Sequence, residues 1–293
     1  MKILNFGSLN YDYVYSLEHI VSPGETISSV GLEIFTGGKG LNQSIALAKA
    51  GVKVYHGGQV GEDGQLLMER CREFGVECSH VNMVDGKSGH AIIQVDQNGQ
   101  NSIILYGGSN QKIQKEFIHG VLADFGMGDY ILLQNEINNI SYIIDKAYEK
   151  GMNIILNPSP FNHRIMECDL KKISIFLLNE IEGEQLTCES SPENILVKMI
   201  EMFPDAKIVL TLGGKGSLYG DKNHTYSQDI YPVKVVDTTA AGDTFTGFFI
   251  ASLLKNKGVK EALILAAKAS AMAVGKKGAV DSIPYYNEVI NVK

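Results

Sequence analysis

The sequence predicts an α/β protein: a three-layer α/β/α core around a mostly parallel sheet, with a small β lid inserted into it. Three observations carry this. Short β-rich runs alternate with helical ones along most of the 293 residues, the pattern of a parallel sheet covered by helices on both faces. Residues 13–35 and 89–106 break the alternation with extended, non-helical sequence. No tandem repeat or low-complexity linker sets those two stretches apart, so they read as insertions in one core.

Taken in order, KILNFG (2–7) is a first strand and Leu41 to Ala50 a helix closed by Gly51. VKVYHGG (52–58) is a strand and QLLMERCREF (65–74) a helix closed by Gly75. A glycine just past a periodic segment is the usual helix stop. The pattern resumes with DYILLQNE (129–136), a helix ISYIIDKAYEK (140–150) before Gly151, then MNIILNPSP (152–160) and ISIFLLNE (173–180). Another helix, the strand KIVLTLGGKG (207–216) and a last pair of helices after Asp237 complete it. Asn98-Gly99 stands between Ile93/Val95 and Ile103/Leu105, and Asn-Gly between period-2 runs signals a hairpin. The expected division is a core of 1–12, 36–88 and 107–293 with a lid of 13–35 and 89–106.

Composition excludes several function classes. There are 26 Lys+Arg against 33 Asp+Glu, a net charge of −7, with no dense basic block. Neither nucleic acid nor an anionic membrane is an expected partner, since both need clustered positive charge. Cys71, Cys78, Cys168 and Cys188 form no C-x-x-C pair and have no His cluster beside them, so reduced thiols are expected. The first residues turn polar too early for a signal sequence, and the longest apolar run, Phe248 to Leu254, is far short of the roughly 20 residues of a membrane span. A soluble, cytoplasmic protein is expected.

Chemistry concentrates in two segments. In VVDTTAAGDTFTGFFIASLL (235–254) a β-branched run ends at Asp237, and Ala240, Ala241 and Gly242 precede a helix beginning near Asp243. Small residues at a strand-to-helix junction leave backbone N–H groups open, and the helix start favours negative charge. This is an anion hole with a carboxylate at its lip; an ordinary N-cap is the bland alternative. In FTGGKGLNQSIALAKAG (35–51) Gly37, Gly38 and Gly40 open a helix whose stripe is Leu41, Ile45 and Ala48, with Lys39 and Asn42 as fixed donors. No G-x-x-x-x-G-K-S/T P-loop occurs, nor a G-x-G-x-x-G after the first strand. Asn10 and Asp12 end the first strand at period 2 and so share a face, Glu136 ends DYILLQNE, and Asn179 with Glu182 ends ISIFLL and starts a helix; in open α/β sheets ligands bind beyond the carboxyl ends of strands.

GGKGLNQSIALAKAG and VVDTTAAGDTFTGFFIASLL, in this order and about 200 residues apart, resemble the two signature motifs of the ribokinase (PfkB) family of carbohydrate kinases. GSLNYDY, PGET, VGEDG, LLNEIE, TLGGKG and VGKKGAVDSIP extend the likeness over nearly the whole chain. The resemblance implies a ribokinase-like, Rossmann-like core and transfer of the γ-phosphoryl of ATP to the primary hydroxyl of a sugar, with D-ribose to D-ribose 5-phosphate the leading reaction. It implies Asp243 as catalytic base, with N–H groups of Ala240, Ala241 and Gly242 on the transferring phosphoryl. Asn10, Asp12, Gly38, Lys39, Asn42 and Glu136 match sugar-binding positions.

By the same likeness Asn179 and Glu182 organise Mg²⁺ and phosphate, Glu182 through water. Thr211, Gly213 and Gly216, with Ala267 to Ser270 of a late helix, contact the nucleotide. A K⁺ is implied at Asp237 and Ser282 with the carbonyls of Thr239, Val274, Lys277 and Ala279. The lid is expected to pair two copies into a homodimer, because a small projecting sheet exposes edges and an apolar face. His90 stands where relatives carry a small residue facing the sugar, YGGSNQ departs from their G-A-N, and Ala267 replaces a frequent His. Alternatives follow: a fructose or other ketose kinase, or a nucleoside kinase of pseudouridine or adenosine type using Tyr11, Tyr13 and Tyr106 as a base slot. A non-catalytic sugar-binding protein is the alternative from another class.

Overall fold

The computed structural model describes residues 1–292. In chain order the elements are β1 (Ile3–Phe6), β2 (Asn10–Ser16), β3 (Gly31–Gly37), α1 (Lys39–Lys49), β4 (Val54–Val60), α2 (Gln65–Glu73), β5 (Glu77–Met83), β6 (Gly89–Val95) and β7 (Asn101–Tyr106). There follow α3 (Lys115–Leu122), β8 (Tyr130–Gln134), α4 (Ile140–Glu149), β9 (Asn153–Asn157), α5 (His163–Met166), β10 (Ile175–Asn179), α6 (Glu180–Thr187) and α7 (Pro192–Met202). Last come β11 (Lys207–Thr211), β12 (Ser217–Gly220), β13 (Thr225–Gln228), α8 (Ala241–Leu254), α9 (Val259–Val274) and α10 (Tyr286–Ile290).

Nine strands form one sheet in the order β13-β12-β11-β10-β9-β8-β1-β4-β5. Every pair from β11 to β5 is parallel, and only β12 and β13 run antiparallel at one edge. Strand parity divides the core, because alternate side chains leave opposite faces of a sheet. Leu4, Phe6, Ile131 and Leu133 pack with Ile118, Ile144 and Met199 of α3, α4 and α7. Ile3 and Leu132 pack on the other face with Leu41, Ile45, Phe248, Phe249 and Leu263 of α1, α8 and α9. Burying one such side chain stabilises the fold by about 1.5–3 kcal/mol, which is why both faces are closed by helices. No helix among the described residues is long and apolar enough to cross a membrane.

The second sheet has four strands, β3-β2-β6-β7. β2 and β6 pair in parallel, and β3 and β7 flank them antiparallel. Asn98-Gly99 lies in the β6–β7 connection, but Gly99 alone has positive φ, at 78°. Asp96 and Gln100 close it as a three-residue loop, which turns on a single left-handed glycine. Register fixes the faces. Asp12, Phe35, Ala91 and Leu105 are aligned on one side, and Tyr13, Ile34, Ile92 and Ile104 on the other.

Two expectations change. The β-branched run before Asp237 is not a strand: residues 229–240 are irregular, with Val235 and Val236 exposed. The sheet ends at β13, so these valines find no ladder to join and run across a cavity instead. Conversely, ECSHVNM (77–83) forms the edge strand β5, although its polar residues hide the alternation.

Candidate active site

α1 and α8 pack side by side at the carboxyl end of the sheet, and their contact makes the centre of the site. Gly247 permits it: a Cβ there would lie 2.3 Å from Ala46 Cβ and 2.9 Å from Leu47 N. Asp243 sits in the first turn of α8, 7% exposed. Its Oδ2 accepts from Asn42 Nδ2 at 3.0 Å and its Oδ1 from Gln43 Nε2 at 2.8 Å. Asn42 thus holds the carboxylate with its amide nitrogen, while its buried Oδ1 has no protein partner. A buried acceptor left open in this way suits a hydroxyl brought by a ligand.

Ala240 precedes α8 in the left-handed region, φ 58°. Alanine pays about 1–2 kcal/mol for that conformation, and here it turns the backbone so that N–H groups point outward. Ala241 N–H donates to Thr238 O at 3.2 Å, which removes it from the expected trio of anion donors. Among the described residues no group accepts from the N–H of Ala240, Gly242 or Asp243. Two orphan donors at a helix start, plus one on the preceding residue, form an anion site.

Lys39 opens α1 and shares a cavity of about 180 Å³ with Asn179, Glu182, Thr211, Ala240, Gly242 and Asp243. Burial alone would lower its pKa, but the carboxylates of Asp243, Glu136 and Glu182 outweigh that and hold the ammonium above its usual range. A cavity of about 340 Å³ opens from the same Thr211, Ala241 and Gly242, lined further by Gly213, Gly216, Tyr231, Phe245, Ala267 and Ser270. Its walls are mostly apolar with a few polar groups, as a nucleotide base requires. Asn179 and Glu182 also form a capping box on α6: Glu182 N–H donates to Asn179 Oδ1 at 2.9 Å and Asn179 N–H to Glu182 Oε2 at 3.0 Å. Glu182 Oε1 remains free and faces the cavity.

On the other side of Asp243, β2 of the four-stranded sheet contributes Asn10 and Asp12, which the expected division had assigned to the core. Asp12 has no hydrogen-bond partner and lies over Gly37, where a Cβ would come 2.2 Å from its Oδ2. Burial, then the charge of Glu136, pushes its pKa up to about 6. Asn10 Oδ1 accepts from Asn110 Nδ2 at 2.7 Å. Gly38 has φ 89°, which only glycine adopts freely, and turns the chain from β3 into α1. Glu136 is less free than expected: its Oε2 accepts from Lys39 N–H at 2.9 Å and from the Ser8 hydroxyl, so it closes the start of α1. Burial raises the Glu136 pKa, against the opposing pull of Lys39. A further cleft of about 380 Å³ joins Asn10, Glu136, Asn110, Asn135 and Tyr106.

The chain carries the pfkB family carbohydrate kinase model over residues 1–285. The chain belongs to the pfkB family of carbohydrate kinases. It is 35% identical to a ribokinase of Haemophilus influenzae, covering 97% of this chain and 95% of that protein. It is 32% identical to a ribokinase of Staphylococcus aureus, covering 99% of each. The solved structure of Arabidopsis thaliana ribokinase complexed with ribose and ATP superimposes with a TM-score of 0.87 at 31% identity, covering 99% of this chain and 97% of that one.

Two expectations for this kinase are corrected by side-chain direction. His90 pairs with Tyr11 and Tyr106, on the sheet face opposite Asp12, and its ring packs against Tyr13 at 5.7 Å. Ala91, one residue on, takes the Asp12 face. Tyr11 turns inward, where its hydroxyl donates to Asp63 O at 2.7 Å, so Tyr11 and Tyr13 build no base slot beside Asp12.

Several of the groups expected around K⁺ already accept hydrogen bonds within the chain. Val274 O already accepts from Val236 and Asp237 N–H, at 2.9 and 3.2 Å. Ala279 O accepts from the Ser282 hydroxyl at 2.8 Å and its N–H at 3.3 Å. Asp237 is likewise spent on Thr239 and on Gly278 N–H, bonds that offset burial and lower its pKa, while the Lys277 side chain pairs with Glu33. Sequence reasoning missed Gln43, Ser8, Asn110, Asn157 and Gln134. Gln43 alone carried a signal, as a second amide beside Asn42 on a helix of small and apolar residues.

Proposed function

We propose that this carbohydrate kinase transfers the γ-phosphoryl of ATP to the primary hydroxyl of D-ribose, giving D-ribose 5-phosphate. The observation that carries the reading is Asp243, held by two amides beside three free N–H groups, on a cavity that shares Thr211, Ala241 and Gly242 with the nucleotide cavity. The ribokinase relatives, one solved with ribose and ATP, supply the sugar.

In the proposed reaction the ribose hydroxyls donate to Asp12 and to Asn42 Oδ1, and Asn10 and Gly38 border the ring. Asp243 orients the primary hydroxyl and takes its proton as the O–P bond forms and the bond to ADP breaks. Phosphoryl transfer of this loose kind is mainly positioning and charge stabilisation. Free N–H groups of Ala240, Gly242 and Asp243, with the Lys39 ammonium, offset the charge on the moving phosphoryl oxygens. Gly213, Gly216, Ala267 and Ser270 flank the base and Thr211 and Asn179 the phosphates. Mg²⁺ fits the free Glu182 oxygen through water, as it commonly keeps several waters, and would neutralise the β- and γ-phosphate charge. A K⁺ held by Asp237, Ser282 and the neighbouring carbonyls would help set the backbone before α8 without touching substrate.

The lid closes over the sugar, and its outward face, with Leu32, Ile34 and Ile104 exposed, pairs with a second copy. A cytoplasmic location, where ATP is available, goes with this reading. Light scattering at micromolar concentration should give a dimer, and Ile104→Asp a monomer.

ADP release with Mg-ATP over ribose, fructose, other pentoses, adenosine and pseudouridine, in K⁺ and in Na⁺, tests the reading. Ribose should be selected, and Asp243→Ala should lower kcat by at least about 10²–10⁴ with ribose binding retained by calorimetry. Turnover of another compound replaces the substrate; silence over the panel removes the kinase reading.

A further inference from the structure

Beneath Asp243 lies a run of buried amides that no step of the reaction uses. Gln43 Nε2, besides donating to Asp243 Oδ1, donates to Asn157 Oδ1 at 3.1 Å. Gln43 Oε1 accepts from Gln134 Nε2 at 2.6 Å, and the same nitrogen donates to Asn5 Oδ1 at 2.9 Å. Asn5 Nδ2 donates to Gly40 O at 2.7 Å and to Ser44 Oγ at 2.8 Å. Ser44 Oγ meets His56 Nδ1 at 2.8 Å, and His56 Nε2 meets Gly7 O at 3.3 Å. Asn5, Gln43, Ser44, His56 and Gln134 are all fully buried.

The direction of every bond follows from its ends. A main-chain carbonyl can only accept, so Gly40 O fixes the Asn5 nitrogen and leaves the Asn5 oxygen to accept from Gln134. Gln134 then presents its second N–H to Gln43, whose oxygen is filled and whose nitrogen must face Asp243. At the far end Leu177 O fixes Asn157 in the same way, through Asn157 Nδ2 at 2.7 Å. The orientation is imposed at a cost: Gln134 Oε1 is buried with no partner, and only a glycine at position 7 leaves room for it, a Cβ there falling 2.2 Å away.

We propose that Gln43 and Gln134 are positioning residues for phosphoryl transfer, forming a one-way chain of neutral donors that points an N–H at the catalytic carboxylate. Asp243 Oδ1 is held by this chain, and Oδ2, shared only with Asn42, is left to the sugar hydroxyl. Because every donor in the chain is neutral, it orients the carboxylate without adding a second cation to the Lys39 ammonium that already faces it. The inference rests on Asp243 as the base of the proposed reaction.

The test compares two variants at Gln134, which touches neither cavity. Gln134→Met removes the donor and keeps the volume. Gln134→Glu keeps the shape but can only accept, so it turns the Gln43 oxygen toward Asp243. On whichever sugar the parent turns over, kcat should fall about 10-fold in Gln134→Met and about 10²-fold in Gln134→Glu, with the sugar KM within about 2-fold of the parent.

A role in packing alone predicts the reverse order, or equal loss of kcat and binding, and either overturns the proposal. In the parent, the Gln43 side-chain amide protons should be protected from hydrogen exchange by NMR; free exchange overturns it without any variant. A parent active on a different sugar changes the proposed function and leaves this comparison intact.

Discussion

Asp12 is the residue whose environment most directly sets the working pH. Its carboxyl is largely desolvated and accepts from no donor among the described residues, and burial followed by the Glu136 charge holds its pKa at about 6. A sugar hydroxyl needs the ionised form as acceptor, so binding should be intact above that value and weaken below it. The KM for ribose should be flat from about pH 7 upward and rise up to about tenfold per pH unit below 6, while kcat changes less. In Asp12→Asn the KM should be higher at every pH and lose this slope. Steady-state kinetics between pH 5 and 8 check it, and a KM independent of pH in the parent would remove Asp12 from sugar binding. Lys39 cannot produce the same limb, because its neighbouring carboxylates raise rather than lower its pKa.

At the scale of elements, the α1–α8 contact aligns the site. Gly247 lies one turn beyond Asp243 and meets Ala46, one turn beyond Asn42 and Gln43. Gly247→Ala would push the helices apart and lengthen both amide bonds to Asp243. It should destabilise the protein by about 1–3 kcal/mol, as overpacking does, and lower kcat about tenfold or more with a smaller change in KM. Urea unfolding and kinetics on one preparation separate the two effects.

These pairings also mark what the sequence could convey. Helix α1 was legible from Leu41, Ile45 and its closing Gly51, and Asp243 from the small residues before it. The mate of Asp243 was not, since residues 201 and 200 apart meet only through packing of the two helices. Lid strands could be read from period-2 alternation, yet the parallel pairing of β2 with β6 has no local cause, and it decides that Ala91 and not His90 faces Asp12. Val235 and Val236 show the opposite limit: β propensity without a neighbouring strand gives an irregular segment.

For the whole molecule, two buried groups pull stability in opposite directions between pH 4 and 6.5. His56 is fully buried, and the loss of solvation holds its pKa down to about 4 against a reference of 6.5. The unfolded chain therefore binds a proton more readily, and stability present above pH 6.5 is lost as pH falls toward 4, by up to about 3 kcal/mol. Asp12 acts the other way: its pKa of about 6 against 3.8 unfolded makes the folded state the better proton binder, so acidification over the same range stabilises. Burial of Glu136 adds to the Asp12 direction. The parent should consequently show a shallow stability profile from pH 7 to 5. Asp12→Asn removes one side of that balance and leaves His56 exposed to acid, so its urea midpoint should drop more steeply than the parent's over this interval. A saturating sugar that ionises Asp12 should steepen the parent's profile in the same sense, since its added stability fades as Asp12 protonates. Parallel slopes for parent and variant would show that Asp12 does not titrate as the fold dictates.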